Sequence, residues 1–309
     1  MILAAGLGTR LQPLSKLRPK PAMPVRGLPV IGYVLRLLQH HGVTEAIVNL
    51  HHRADELAAT LERCRPAGMT VHLSREEVLL GTGGGIRRAA DFLRASDPAL
   101  VLSGDMLLDT DLGALVALHR ERRDLATLLL VDDRARAGLF GTIGVDEDER
   151  VRRISKRFDL GGEKAAGVFV GVRVLSSRAF ETLPDDEAFE DLTDWFAPML
   201  SSGARDIRAH RESTSACLWE PVGTLEEYLR VNLHQLPFSF LEPDQVASEF
   251  GTQLQGSVIL GAGARIASGA RLRRTVVWEG ETVPAGFTAS DGVFAGGQFH
   301  ACASEKAMK

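Results

Sequence analysis

Along the first two-thirds of the chain, short apolar runs alternate with stretches of helical spacing. Residues 2–5 are a continuous apolar run and read as a buried strand. Over residues 29–41, Ile31, Val34, Leu35 and Leu38 share one helical face, and Gly42 supplies a stop. Residues 46–50 read as a second short buried strand, 54–64 as a second amphipathic helix, and 70–73 as a strand. Residues 81–85 read as a glycine loop leading into a helix over 86–92. Residues 99–102 are an apolar strand that runs into Ser103, Gly104 and Asp105. This β-α-β-α-β order predicts an α/β fold with right-handed crossovers and a mostly parallel sheet. Ligands of such sheets gather at the carboxyl ends of the strands, so the segments 6–10 and 104–105 are expected to converge.

From Ala126 the pattern becomes richer in strands, over 127–131, 142–145, 151–154 and 167–172. Residues 189–202 read as a helix stopped by Gly203. A further helix starts at Thr224, an N-cap with Glu227 three residues on. A proline-rich joint over 236–244 then breaks the pattern. It divides the chain into a first domain over 1–235, a linker over 236–250, a repeat segment over 251–299 and a tail over 300–309. In the repeat segment Leu254, Leu260, Ile266, Leu272 and Trp278 recur every six residues, with Gly263 and Gly269 in the turns. That period predicts a short left-handed parallel β-helix. Its few coils bury little alone, so the segment is expected to pack on the first domain or on another subunit, giving a homo-oligomer. Residues 302–309 read as a disordered tail.

Composition narrows the classes. With 45% hydrophobic and 25% charged residues the chain reads as an ordinary globular protein, and 309 residues suffice for one large and one small domain. A net charge of −4 argues against a nucleic-acid surface spread over the whole molecule. Cys64, Cys217 and Cys302 are few, odd in number and far apart, which suits a reducing cytoplasm rather than a disulfide frame or a zinc site. No apolar run reaches the length of a membrane span, and no secretory signal precedes the first strand. Met1 stands so close to the glycine segment that either the first strand is short or the natural start lies upstream.

The chemistry concentrates near the N-terminus. The apolar run feeds Gly6-Leu7-Gly8-Thr9-Arg10, and ten residues later Lys20 stands between Pro19 and Pro21. Glycines let backbone N–H groups approach phosphate oxygens, and the two cations add charge-assisted contacts to a polyphosphate. The Gly-Lys-Ser/Thr ending of a Walker A loop is missing. The full string, Gly-x-Gly-Thr-Arg followed by Pro-Lys-Pro, resembles the signature of the sugar-1-phosphate nucleotidyltransferases. That resemblance implies a Rossmann-like catalytic domain. It also implies attack by a sugar phosphate oxygen on the α-phosphorus of a nucleoside triphosphate, with pyrophosphate leaving. Both reactants are anions, so the site needs cations and in-line positioning more than a nucleophilic side chain.

Further roles follow from the same resemblance. Arg10 corresponds to the family arginine on the β- and γ-phosphates, and Lys20 to the lysine beside the α-phosphate and the attacking oxygen. Asp105 corresponds to an aspartate that binds Mg²⁺, the implied cofactor. Ala5, Gly6, Gly8, Thr9 and Gly104 belong to the nucleotide site, as do Gly81 and Thr82 in a segment similar to the family's Leu-Gly-Thr-Ala-Gly. Glu76 is a candidate for the base edge. A carboxylate only accepts hydrogen bonds, which suits the donors of guanine better than uracil. Lys156, with Glu163 and Gly167, is the candidate for the sugar phosphate, although Ser155 and Arg157 replace the flanking residues of the family's Glu-Lys-Pro. The largest departure is Trp219-Glu220-Pro221-Val222-Gly223-Thr224. The family carries an aspartate, the second metal ligand, where Pro221 stands, which leaves Glu220 as the neighbouring carboxylate. The resemblance favours GTP with a mannose- or heptose-type sugar 1-phosphate. Uridylyl transfer to a glucose- or amino-sugar phosphate, and a non-catalytic NDP-sugar-binding subunit, stay open as alternatives.

Overall fold

The structure, a computed structural model, describes residues 1–302. The expected tail therefore lies almost wholly outside the described residues. At the centre runs the short strand β1 (Ile2–Leu3), flanked in parallel by β2 (Glu45–Leu50) and β4 (Ala99–Ser103), with β3 (Thr70–Arg75) beyond β2. On the other side the long strand β6 (Ala165–Leu175) runs antiparallel to β4 and to β5 (Ala126–Val131), and β5 pairs in parallel with β7 (Ile207–Glu212). The sheet is mostly parallel at the site-bearing end and mixed beyond it. The strands Ile143–Val145, Val151–Ile154 and Phe158–Asp159 extend it as an antiparallel flap.

Helix α1 (Val30–His40) buries Ile31, Val34, Leu35 and Leu38 as its spacing predicts. Val30, Tyr33 and Leu37 are buried as well, in the same core cluster, so the buried face is wider than the spacing alone marks. Helix α2 (Ala54–Cys64) buries Leu57, Thr60, Leu61 and Cys64, one face at helical spacing, and carries Asp55 and Glu56 in its first turn where the helix dipole favours them. The Thr224 capping box is formed: Glu227 N–H donates to Thr224 Oγ1 at 3.2 Å, and Glu227 Oε2 accepts from Thr224 N–H at 3.0 Å.

Two expectations about local structure are corrected. Residues 81–85 are not a loop but the first turns of helix α3 (Gly81–Arg88). Their glycines serve close packing: a Cβ at Gly83 would lie 2.2 Å from the Phe189 ring, and the Gly83 and Gly84 N–H groups donate to Phe189 O at 2.9 and 3.1 Å. The linker over 236–250, in turn, carries a helix at Pro243–Glu249.

Beyond that helix, Val258 pairs in parallel with Thr275 and Thr275 with Gly292, so each turn of the coil uses seventeen residues. A second face repeats the offset, Arg265 against Thr282. Leu260 and Trp278 are both buried but not in one stack: Leu260 pairs with Val277 in the segment's own core, whereas Trp278 lies in the core shared with the first domain, and Leu254 is exposed. Its strand, Gln253–Gln255, folds back antiparallel on Val258–Leu260 as a hairpin arm rather than a rung. The coils do not stand apart. Ile259, Val276, Trp278 and Val293 belong to the same core cluster as α1 and Tyr228, so the segment packs on the first domain.

Candidate functional site

The loop after β1 is anchored by fully buried Leu11 and Leu14, so its glycines are held in place from one side. Gly8 adopts φ 62°, a left-handed conformation that few side chains tolerate, and starts the tight turn Thr9–Leu11. Nothing lies within 4 Å of where a Cβ at Gly6 would stand, so its backbone faces open space. Arg10 is exposed and has no hydrogen-bond or ion-pair partner among the described residues. Lys20 is held between two prolines at the start of the turn Lys20–Ala22 and is only 8% exposed. Its Nζ donates to Asp105 Oδ2 at 2.6 Å. Asp105 follows β4 through Gly104, where a Cβ would meet Ile2 at 2.9 Å and Leu3 O at 3.1 Å. Glycine there lets β4 end hard against β1 and brings Asp105 beside Lys20.

These groups line one cavity of about 320 Å³. Its walls include Ala5, Gly6, Gly8, Thr9, Arg10, Lys20, Gly81, Thr82 and Asp105. The structure thus brings these candidates to one cavity; Gly104 does not line it, although its neighbours Ser103 and Asp105 do. Two polar wall residues, Asn49 and Glu190, were not singled out from the sequence. Asn49 had a signal, a polar residue near the end of an otherwise apolar strand. Glu190 had none, because it arrives by tertiary folding. The Thr82 hydroxyl lies 2.7 Å from the Glu190 carboxylate and 2.7 Å from that of Asp191, donates its one proton to either of them and accepts from Asp191 N–H, while the other Asp191 oxygen pairs with buried Arg173. This charged network fixes Thr82 at the cavity wall.

Glu76 is corrected. It does not line the cavity. It is 6% exposed, and its Oε1 accepts from Asn49 Nδ2 at 2.8 Å while its Oε2 accepts from Leu80 N–H at 3.3 Å. Asn49 Oδ1 accepts from Ala4 N–H at 2.7 Å. Glu76 is therefore a buried brace that holds Asn49 against the strand entering the glycine loop. Glu76→Ala leaves two buried donors unmet, each costing about 1–3 kcal/mol. A lowered melting temperature with unchanged preference among nucleoside triphosphates is expected. A changed base preference in a stably folded variant would restore the base-reading role.

Glu220 is also corrected. Its strand, Leu218–Pro221, pairs antiparallel with Met106–Asp109, placing Pro221 opposite Met106 and Val222 N–H against Asp105 O at 3.3 Å. Glu220 turns to the other side, where Arg136 and Arg230 hold its Oε2 at 2.6 and 2.5 Å. It lines a separate surface cavity with Trp219 and Arg136. The one-residue offset from Pro221 turns the side chain to the opposite face. The three sugar-phosphate candidates do not reach the nucleotide cavity either. Lys156 is exposed on a turn of the flap, Glu163 is paired with Arg153 at 2.6 Å, and Gly167 lines a separate cavity with Lys164 and Arg211.

Among the described residues there is no cluster of three or more metal-ligating side chains. The site nevertheless suits Mg²⁺, which commonly uses one or two carboxylates and completes its shell with phosphate oxygens and water. Asp105, at the cavity wall, is the carboxylate that would hold the ion. Among the same residues no helix is long and apolar enough to cross a membrane.

Comparisons with known proteins agree with this geometry. The chain is 29% identical over 301 residues to the mannose-1-phosphate guanylyltransferase of Mycobacterium tuberculosis, covering 93% of this chain and 81% of that one. It is 24% identical over 298 residues to the UTP–glucose-1-phosphate uridylyltransferase of a Synechocystis strain, covering 88% and 76%. The fold matches that of HddC from Yersinia pseudotuberculosis complexed with GMP-PN, with a TM-score of 0.61 at 24% identity over 75% of this chain and 96% of that one. Residues 1–236 match the family model described as nucleotidyl transferase, so the chain belongs to the nucleotidyl transferase family.

Proposed function

We propose that this protein is a sugar-1-phosphate nucleotidyltransferase that uses GTP and a mannose-type sugar 1-phosphate and releases pyrophosphate. The observation that carries the reading is the single cavity into which the glycine loop, Arg10, Lys20 and Asp105 all open. Glycine-loop N–H groups and Arg10 would take the β- and γ-phosphates. Lys20, beside the α-phosphate, would offset the repulsion between it and the incoming sugar phosphate oxygen. That oxygen forms the new bond to phosphorus as the bond to pyrophosphate breaks. No protein nucleophile is required. Mg²⁺, held by Asp105 and the phosphates, would neutralise charge on the triphosphate. Thr82, fixed by Glu190 and Asp191, would line the nucleoside side of the cavity.

The preference for guanine rests on relatives and no longer on Glu76. The similarity to a mannose-1-phosphate guanylyltransferase spans most of both chains. We read the C-terminal coils as the short left-handed β-helix expected from the sequence, on the strength of their parallel stacking, with an offset of seventeen, one short of three six-residue faces. The three unpaired cysteines suit action in the cytoplasm. A pyrophosphate-release screen of GTP, UTP, dTTP, CTP and ATP against mannose, heptose, glucose and amino-sugar 1-phosphates tests the proposal. The highest kcat/KM is expected for GTP with mannose 1-phosphate. A clear preference for UTP would move the assignment to uridylyl transfer, and no turnover with any pair would overturn it.

A further inference from the structure

The segment that carries Lys20 rests on the C-terminal coils. Arg18, two residues before Lys20, places its Nη2 2.5 Å from Glu279 Oε1 and its guanidinium 4.6 Å from the centre of the Trp278 ring. Glu56 stands on its other side, 3.9 Å from Nε. Trp278 is itself held firmly. It is buried, and its Nε1 donates to the Tyr228 hydroxyl at 2.9 Å, which donates to Pro24 O at 2.6 Å. Leu17 lies so close to Gly296 of the coils that a Cβ there would meet its methyl groups at 3.1 Å. Trp278, Glu279 and Gly296 all belong to the coil segment, so Arg18 and Leu17 meet the coils together.

We propose that Arg18 is a positioning residue through which the C-terminal coils set the place of the Lys20 ammonium in the cavity. The inference rests on the reading of Lys20 as the phosphate-facing cation. The ring face fixes the plane of the guanidinium and the carboxylate fixes its direction, a combination that an ammonium group reproduces only in part. Between Arg18 and Lys20 there is only Pro19, whose ring locks φ at −61°. A shift of Arg18 therefore passes to Lys20 through a stiff link. The Arg18–Glu279 pair is partly exposed, at 22% and 44%, so its own contribution to fold stability is small. Its loss should show in catalysis rather than in melting. The coils then form part of the catalytic apparatus, although none of their residues lines the cavity.

The test uses the full chain and compares Arg18→Gln, Arg18→Lys, Glu279→Gln, the double variant Arg18→Gln with Glu279→Gln, and Lys20→Ala. Steady-state pyrophosphate release and thermal melting are measured for each, with GTP and mannose 1-phosphate or the best pair from the screen. Arg18→Gln is expected to lower kcat about tenfold or more, since displacement of a catalytic group by an ångström can cost roughly a hundredfold. KM for the sugar phosphate and the melting temperature should stay near wild type. Arg18→Lys should recover part of the loss, and the double variant should be no worse than Arg18→Gln, because both changes break one link. If Lys20→Ala is inactive while Arg18→Gln turns over at the wild-type kcat, the coupling is wrong and the reading of Lys20 stands. If Arg18→Gln loses activity only in step with a lowered melting temperature, its role is structural and the proposal falls. If Lys20→Ala itself keeps wild-type turnover, the reading on which the proposal rests has failed.

Discussion

Lys20→Ala should cut turnover by at least about a hundredfold, the usual loss when one preorganised charge contact to a transition state is removed. The reaction brings a phosphate monoester against a triphosphate, and Lys20 is the cation buried at their expected meeting point. Its Nζ lies 2.6 Å from Asp105, so the same ammonium also holds the Asp105 carboxylate in position. Lys20→Arg should be nearly as damaging. The planar guanidinium is larger, and the residue sits between two prolines with little room to adjust. Arg10→Ala should cost a comparable factor without touching the fold, because Arg10 is exposed and unpaired among the described residues. Pyrophosphate release measured with thermal melting separates the two effects. Wild-type kcat in both Lys20→Ala and Arg10→Ala would remove the glycine-loop site from the mechanism.

The parts of this site visible in the sequence are those whose chemistry is local. A strand, two glycines and two cations within twenty residues must act near one another, and Ser-Gly-Asp after an apolar strand marks a sheet's carboxyl end. Both lie at the cavity, as the β-α-β order requires. What the sequence hid depends on distant pairing. Glu76 looked like a base reader because its partners, Asn49 and Leu80, are set by the register of β2 against β3 and by the entry to α3. The glycines of 81–85 looked like a loop, but the demand they meet comes from Phe189, more than a hundred residues on. Glu190 reaches the cavity only because that same segment packs on α3. The six-residue series marked buried Leu260 and Trp278, but the strands stack at seventeen, so the two face different cores, and at Leu254 a hairpin replaces a rung. Periodicity reports which residues favour burial; it does not report where a strand turns back.

Asp105→Asn should abolish transfer, a loss of at least about a hundredfold, because a neutral amide no longer helps neutralise the triphosphate through the metal. It also leaves the Lys20 ammonium without its carboxylate partner. The sequence left open whether Glu220 replaces the aspartate missing at Pro221, and the geometry decides against it. Glu220 is occupied by Arg136 and Arg230 on the opposite side of its strand, and Pro221 is buried opposite Met106. Glu220→Gln should therefore leave turnover and its Mg²⁺ dependence close to wild type, with any cost appearing in stability. With one protein carboxylate, most of the metal shell must come from phosphate oxygens and water. Calorimetry should then find weak Mg²⁺ binding to the free protein and much tighter binding once GTP is present. Asp105→Asn should weaken that second event, whereas Glu220→Gln should not. Tight Mg²⁺ binding without nucleotide, lost in Glu220→Gln, would instead require Glu220 to leave its two arginines and turn toward Asp105.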